Sequence, residues 1–227
     1  MLIRLFVLVV LVVLFTFYAR RATLVSGRFT GTMEFLLDFV RVQVAENILG
    51  VKDGRRFFPL LATIFFLVLG LNLTGVIPAI NLAGTSRIGM PLVLALVAYA
   101  TFIVVGIMTS GFLGYFKASL FPPNVPWPAY IIVTPIEFIS TFIARPFSLT
   151  IRLLANMIAG HLLLVLCFSA TNYLFLESQS AVGVMGVVTL FGGFVFTLFE
   201  ILVAALQAYI FALLTAVYIS GSLQPEH

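Results

Sequence analysis

Residues 181–220 read AVGVMGVVTLFGGFVFTLFEILVAALQAYIFALLTAVYIS, an apolar run of 40 residues whose strongest polar breaks are Glu200 and Gln207. A barrel strand alternates polar and apolar over about ten residues. This run is continuous and far longer, so it reads as helix. At about 1.5 Å rise per residue it spans about 60 Å, twice the ~30 Å hydrocarbon layer. Such a helix must tilt steeply or run partly along the membrane plane. The stretch from Tyr130 to Ser169 has the same length and character, with Glu137, Arg145, Arg152, Asn156 and His161 inside it.

Working outward, the 227 residues repeat this pattern. The chain is 62% hydrophobic and 9% charged, with a mean hydropathy of +1.21. Soluble domains are roughly 45–50% apolar and about 25% charged. Such a composition excludes a cytosolic enzyme, a disordered tail and a secreted disulfide scaffold. Leu5 to about Ala19 is a first span, closed by Arg20 and Arg21. Arg4 before it raises a signal peptide, but no small-x-small cleavage site follows, and the reading is a retained span. Residues 57–80 and about 90–116 are the second and third spans. FPPNVPWP at 121–128 is a proline-dense connector that no helix crosses. Residues 28–56 mix Phe35, Leu36, Phe39, Val42, Ile48 and Leu49 with Glu34, Asp38, Arg41 and Glu46. That pattern predicts an amphipathic helix on the membrane surface.

The expected fold is therefore an all-α integral membrane protein of about five membrane helices plus a surface amphipathic helix. It forms one membrane domain: 1–27 the first span, 28–56 the surface helix, 57–116 a helical hairpin, 129–220 two long tilted helices. Arg20, Arg21, Arg28, Arg41, Lys52, Arg55 and Arg56 crowd one side, against Arg87 in the 81–89 loop. The crowded side is cytoplasmic or matrix-like. The connector with Lys117 and the C-terminus fall on that side, and the 170–181 loop opposite. The net charge of +4 belongs to this asymmetry, not to nucleic acid, for no basic stripe interleaves with aromatics. The single cysteine, Cys167, reads as an inert packing residue.

Ionisable groups at membrane depth carry the functional signal. A charge at the bilayer centre costs about 2.5–3.5 kcal/mol on insertion scales. Arg145, Arg152 and Asn156 are seven and four residues apart and share a helical stripe, filled by Ser148 and Leu149, while His161 lies off it. Glu200 and Gln207, seven apart, share a face of the last helix. If these two helices are antiparallel neighbours, His161 and Glu200 lie toward the outer side, Gln207 near Arg152, and Glu137 and Arg145 toward the inner side. An imidazole and a carboxylate could pass protons inward. Glu137 could serve an inner water-filled path. Arg152, always protonated, would stand between two half-paths, block direct leakage and attract a partner's carboxylate.

Duller readings compete. Arg145 before Pro146 could anchor a helix end. Asn72, Asn156 and Gln207 could be hydrogen-bonding glue between helices, and His161 and Glu200 satisfied packing residues. Gly70, Gly75, Gly106, Gly111 and Gly160 read as close-approach positions. No phosphate loop, HExxH or clustered metal ligands occur, and GTSRIG at 84–89 does not fit a nucleophile motif. No cofactor or metal is expected. A stand-alone proton-coupled transporter would show matched broken helices in two halves, and no repeat is visible. A purely structural anchor would not need Arg152.

The segment PIEFISTFIARPFSLTIRLLANMIAGH (135–161) resembles the central helix of the subunit a family of F-type ATP synthases, the stator proton-channel subunits. FEILVAALQAYIFALLTAVYIS (199–220) resembles that family's final helix, and LNLTGVIP (71–78) an earlier element. The resemblance implies that Arg152 is the family's essential arginine facing the rotor ring of c subunits. It implies Asn156 and Gln207 as polar neighbours, Glu137 as the inner carboxylate, and His161 with Glu200 as the outer acid–imidazole pair. Some bacterial members exchange that pair's order, which leaves a bacterial plasma membrane or a mitochondrial inner membrane open. It further implies a proton as coupling ion and peripheral-stalk subunits of b or delta type as partners. A nucleotide site of its own is not expected.

Overall fold

The computed structural model describes residues 2–21, 27–76, 89–120, 130–176 and 185–223. Among these only Gly27 and Gly111 lie outside a helix. Pro78, Arg87, the 121–128 connector and Glu177 lie outside the described residues. The elements are α1 (Leu2–Arg21), α2 (Arg28–Phe39), a π-helical segment (Val40–Glu46) and α3 (Asn47–Val76). Then come α4 (Gly89–Ser110), α5 (Phe112–Leu120), α6 (Tyr130–Phe138), a second π segment (Ile139–Ala144), α7 (Arg145–Leu176) and α8 (Met185–Leu223).

Among the described residues, four helical runs are long and apolar enough to cross a membrane: Arg28–Val76, Gly89–Ser110, Tyr130–Leu176 and Met185–Leu223. The apolar run Leu5–Arg20 is shorter. The protein is thus all-α and built from membrane-type helices, as its composition demands. The α8 helix runs to 39 residues, or about 58 Å when straight.

The core lies where α3, α4 and α8 meet, around Leu61, Leu71, Phe102, Phe211 and Ile219, all fully buried. Phe102 of α4 packs edge-on to Tyr99 at 5.0 Å and reaches Tyr218 of α8 at 5.9 Å. The α1 helix leans on α3, with Phe15 edge-on to Phe66 at 5.0 Å and Val7 against Gly70.

Two glycines break helices that the apolar pattern runs through. Gly50 (φ 76°) interrupts α3, and the arms on either side fold back on each other. A Cβ on Gly54 would sit 2.9 Å from the Ala45 carbonyl oxygen, and Phe39 lies 6.3 Å from Phe65. The 28–56 segment therefore buries Val40, Val44 and Ala45 in the protein core, while Phe35 and Val42 face outward. The six apolar residues expected on the membrane-facing side of this segment are divided. Leu36, Phe39, Ile48 and Leu49 pack against the core, while Phe35 and Val42 stay open, because the buried stripe follows Leu36, Val40 and Val44 and Val42 falls within the π-helical segment, where the turn is wider. Gly111 (φ 73°) ends the third span at Ser110, not near 116, and starts α5 in a new direction. Its role is conformational, since nothing lies near it, in place of the close approach expected there. Close approach belongs to Gly106, where an added Cβ would collide with the Tyr115 ring.

Candidate functional site

The α7 and α8 helices pack antiparallel, and their register is fixed by small residues and one hydrogen bond. The Thr171 hydroxyl donates to Thr189 Oγ1 at 2.9 Å. Phe168 and Cys167 face Gly193, and Gly160 faces Glu200. Cys167 is half-buried here, less enclosed than a core cysteine. The same register carried onward brings Gln207 level with Leu153, the neighbour of Arg152. This is the antiparallel pairing on which the sequence argument depended.

Glu200 sits inside the seam, 8% exposed. Its Oε1 lies 2.6 Å from where a Cβ on Gly160 would be, so only glycine leaves the carboxylate its seat. Its Oε2 is buried without a hydrogen-bond partner among the described residues, as is Gln207 Nε2 one face-repeat further on. Leaving such atoms unpaired is costly, which marks both as places for a partner such as water. Beside Glu200 is a cavity of about 140 Å³ lined by Asn156, Gly160, Leu163, Phe196 and Phe199. It has room for several waters, and Asn156 with Glu200 supplies polar partners for them.

Arg152 lies near the middle of the 47-residue run Tyr130–Leu176 and points outward from the chain. On its own face of α7, within about 60° of helix rotation, lie the exposed Ser148, Ala155 and Ala159 and the half-buried Asn156. Across the seam α8 presents Phe199, Leu202 and Leu206, equally open. Arg152 has no ion pair or hydrogen bond among the described residues. Along a straight helix it stands about 12 Å from the level of Gly160 and Glu200.

The stripe expected to unite Arg145, Ser148, Leu149, Arg152 and Asn156 straddles the edge of the packed face. Ser148 and Arg152 are exposed, Arg145 and Asn156 half-buried, and Leu149 is in the core at 3% exposure. At 100° per residue Leu149 lies about 60° from Arg152, enough to turn it inward. Arg145 places its guanidinium carbon 5.2 Å from the centre of the Tyr218 ring of α8. A cation over an aromatic face is electrostatically favoured. Tyr218 is the partner that sequence reasoning missed, for nothing in the spacing of LLTAVY signals it.

Glu137 is half-buried on the last turn of α6, just before the second π segment. His161 is half-buried, does not line the cavity beside Glu200, and makes no ion pair with it. Asn72, 1% exposed, is buried on α3 and does not line the cavity beside Glu200. Thr134 Oγ1 is a further buried polar atom without a hydrogen-bond partner, three residues before Glu137. No group of three or more His, Cys, Asp or Glu able to hold a metal occurs among the described residues.

The family described as ATP synthase A chain matches residues 1–220. The ATP synthase subunit a of Rhodococcus erythropolis is 50% identical over 226 residues, covering 100% of this chain and 82% of that protein. The ATP synthase subunit a of Paenarthrobacter aurescens is 40% identical, covering 92% and 78%. That of Streptomyces lividans is 37% identical, covering 92% and 73%.

Proposed function

The chain belongs to the ATP synthase subunit a family, and from that premise we propose that it carries protons between two offset half-paths and a rotating ring of c subunits. Members of this family are stator subunits of a multi-subunit membrane complex. The matching relatives are bacterial, so we place this chain in a bacterial plasma membrane, with peripheral-stalk subunits of b or delta type beside it. We also retain residues 28–56 as the part lying nearest the membrane surface.

One observation supports the reading most: an arginine at mid-span, exposed and without an ion pair or hydrogen bond among the described residues. A permanent cation there is costly in lipid. It becomes favourable when another chain presents a carboxylate, and a ring whose acids pass in turn would do so repeatedly.

The steps follow. A proton entering from the outer side passes His161 and reaches Glu200, which gives it to a ring carboxylate. Waters in the cavity beside Asn156 can bridge that transfer. The neutralised carboxyl can then turn through lipid, where an ionised one is strongly disfavoured. After nearly a full turn it meets the inner path and releases its proton near Glu137. Arg152 attracts the ionised carboxylate and keeps the half-paths apart. Gln207 and Ser148 flank it, Arg145 stands on the inner side, and Asn72 packs behind. Each charge crossing 100 mV gains about 2.3 kcal/mol. ATP formation occurs in other chains.

The test is ATP-driven acidification of inverted vesicles carrying Arg152→Ala. The reading expects an assembled complex with no coupled transport. Coupled transport at the wild-type rate would remove Arg152 from the mechanism.

A further inference from the structure

We propose that the first turns of α3 after Gly50 form a binding site for the phosphate headgroup of an anionic bilayer lipid. This goes beyond the proton path and does not depend on it.

Val51, Lys52, Arg55, Arg56 and Pro59 are all exposed, a spacing that puts them on one helical face. The same face stays open at Thr63, inside the apolar part of the run. The outward side of a spanning helix thus begins with three cations directly before the apolar segment opens at Phe57. That is the depth of lipid headgroups on the side where positive residues gather.

The charges there are only partly answered from within the chain. Glu46 binds Arg41, with Nε to Oε1 at 3.0 Å, and lies 4.0 Å from Arg55. Lys52 and Arg56 make no ion pair among the described residues. Arg56 holds its guanidinium 5.4 Å from the Phe57 ring centre, which keeps it at the apolar boundary.

Geometry holds the turn in place. Gly50 supplies the left-handed bend, Gly54 sits against the Ala45 backbone, and Ser220 of α8 donates to the Ile48 carbonyl at 3.3 Å. Pro59, exposed on the same face one turn further into the apolar segment, suits the upper acyl region. A cationic turn on a fixed bend, flanked by open apolar side chains, matches a lipid with a phosphate head better than a protein surface. Basic residues at a membrane edge recognise anionic headgroups in this way.

The test uses the intact complex, reconstituted with photoactivatable phosphatidylglycerol or phosphatidylcholine, and maps the labelled peptides. The wild type is expected to take phosphatidylglycerol at residues 51–63 in preference to phosphatidylcholine. The doubly neutralised variant Lys52→Gln/Arg56→Gln should lower that preference about thirtyfold, as loss of two cations near an anionic surface implies. Lys52→Arg/Arg56→Lys should keep it. Equal labelling by both lipids in the wild type, or an unchanged preference in the neutralised variant, overturns the site. Loss of a stalk subunit from the neutralised variant, with lipid labelling unchanged, would assign the surface to a protein partner instead.

Discussion

At Gly160 any other residue would place its Cβ 2.6 Å from the Glu200 Oε1, so the glycine and the carboxylate depend on each other. Gly160→Ala must push Glu200 from its seat, so it should impair proton transport as Glu200→Gln does. We expect both to slow ATP-driven acidification at least about a hundredfold, the scale of a lost proton-transfer group, while the complex still assembles. A wild-type rate in Glu200→Gln would demote the carboxylate to packing. At Tyr218 the prediction concerns stability. Tyr218→Leu removes the ring beneath Arg145 and should cost about 0.5–2 kcal/mol, whereas Tyr218→Phe keeps most of it; melting in detergent would separate them. The sequence made Arg152, Glu200 and Gln207 legible, because polar residues at sevenfold spacing inside apolar runs have few explanations. It hid Tyr218, because an aromatic in an apolar run looks like packing. It also misassigned Leu149 to the arginine's face, because 60° of helix rotation decides burial there and a stripe drawn from spacing does not resolve it.

At the scale of elements, the long helices were readable and their interruptions were not. A π-helical segment has no composition of its own; it is one extra residue held by packing. The segment Ile139–Ala144 stands between Glu137 and Arg145, so it sets the angle between the two. Inserting one alanine beside the exposed Ile143, with the wide turn kept, should turn Glu137 by about 100° relative to α7. The expected result is lost acidification in an assembled complex; unchanged acidification would show that the orientation of Glu137 does not matter. Gly111 was similarly hidden, since a glycine in an apolar run suggests close packing, and only its backbone reveals a turn. Gly111→Ala should destabilise by about 1–2 kcal/mol, the cost of a left-handed residue bearing a Cβ, seen as a lowered melting temperature of the complex.

At the scale of the molecule, packing is uneven in a way that suits a stator. The apolar window of Arg28–Val76 is 56% buried within the chain, while those of the runs containing α7 and α8 are each 17% buried. The first half is held by its own core, and the second offers long apolar faces to whatever surrounds it. Arg152 stands exposed in the middle of those faces. A chain acting alone in lipid would leave that guanidinium uncompensated, whereas a neighbour carrying an acid at the same depth would complete it. The most direct measurement is the distance from the Arg152 guanidinium to the nearest c-subunit carboxylate in a structure of the whole complex. The account predicts an ion-pair approach within about 4 Å for one ring subunit. An Arg152 turned to lipid or to the stalk, with no ring carboxylate near it, would contradict it.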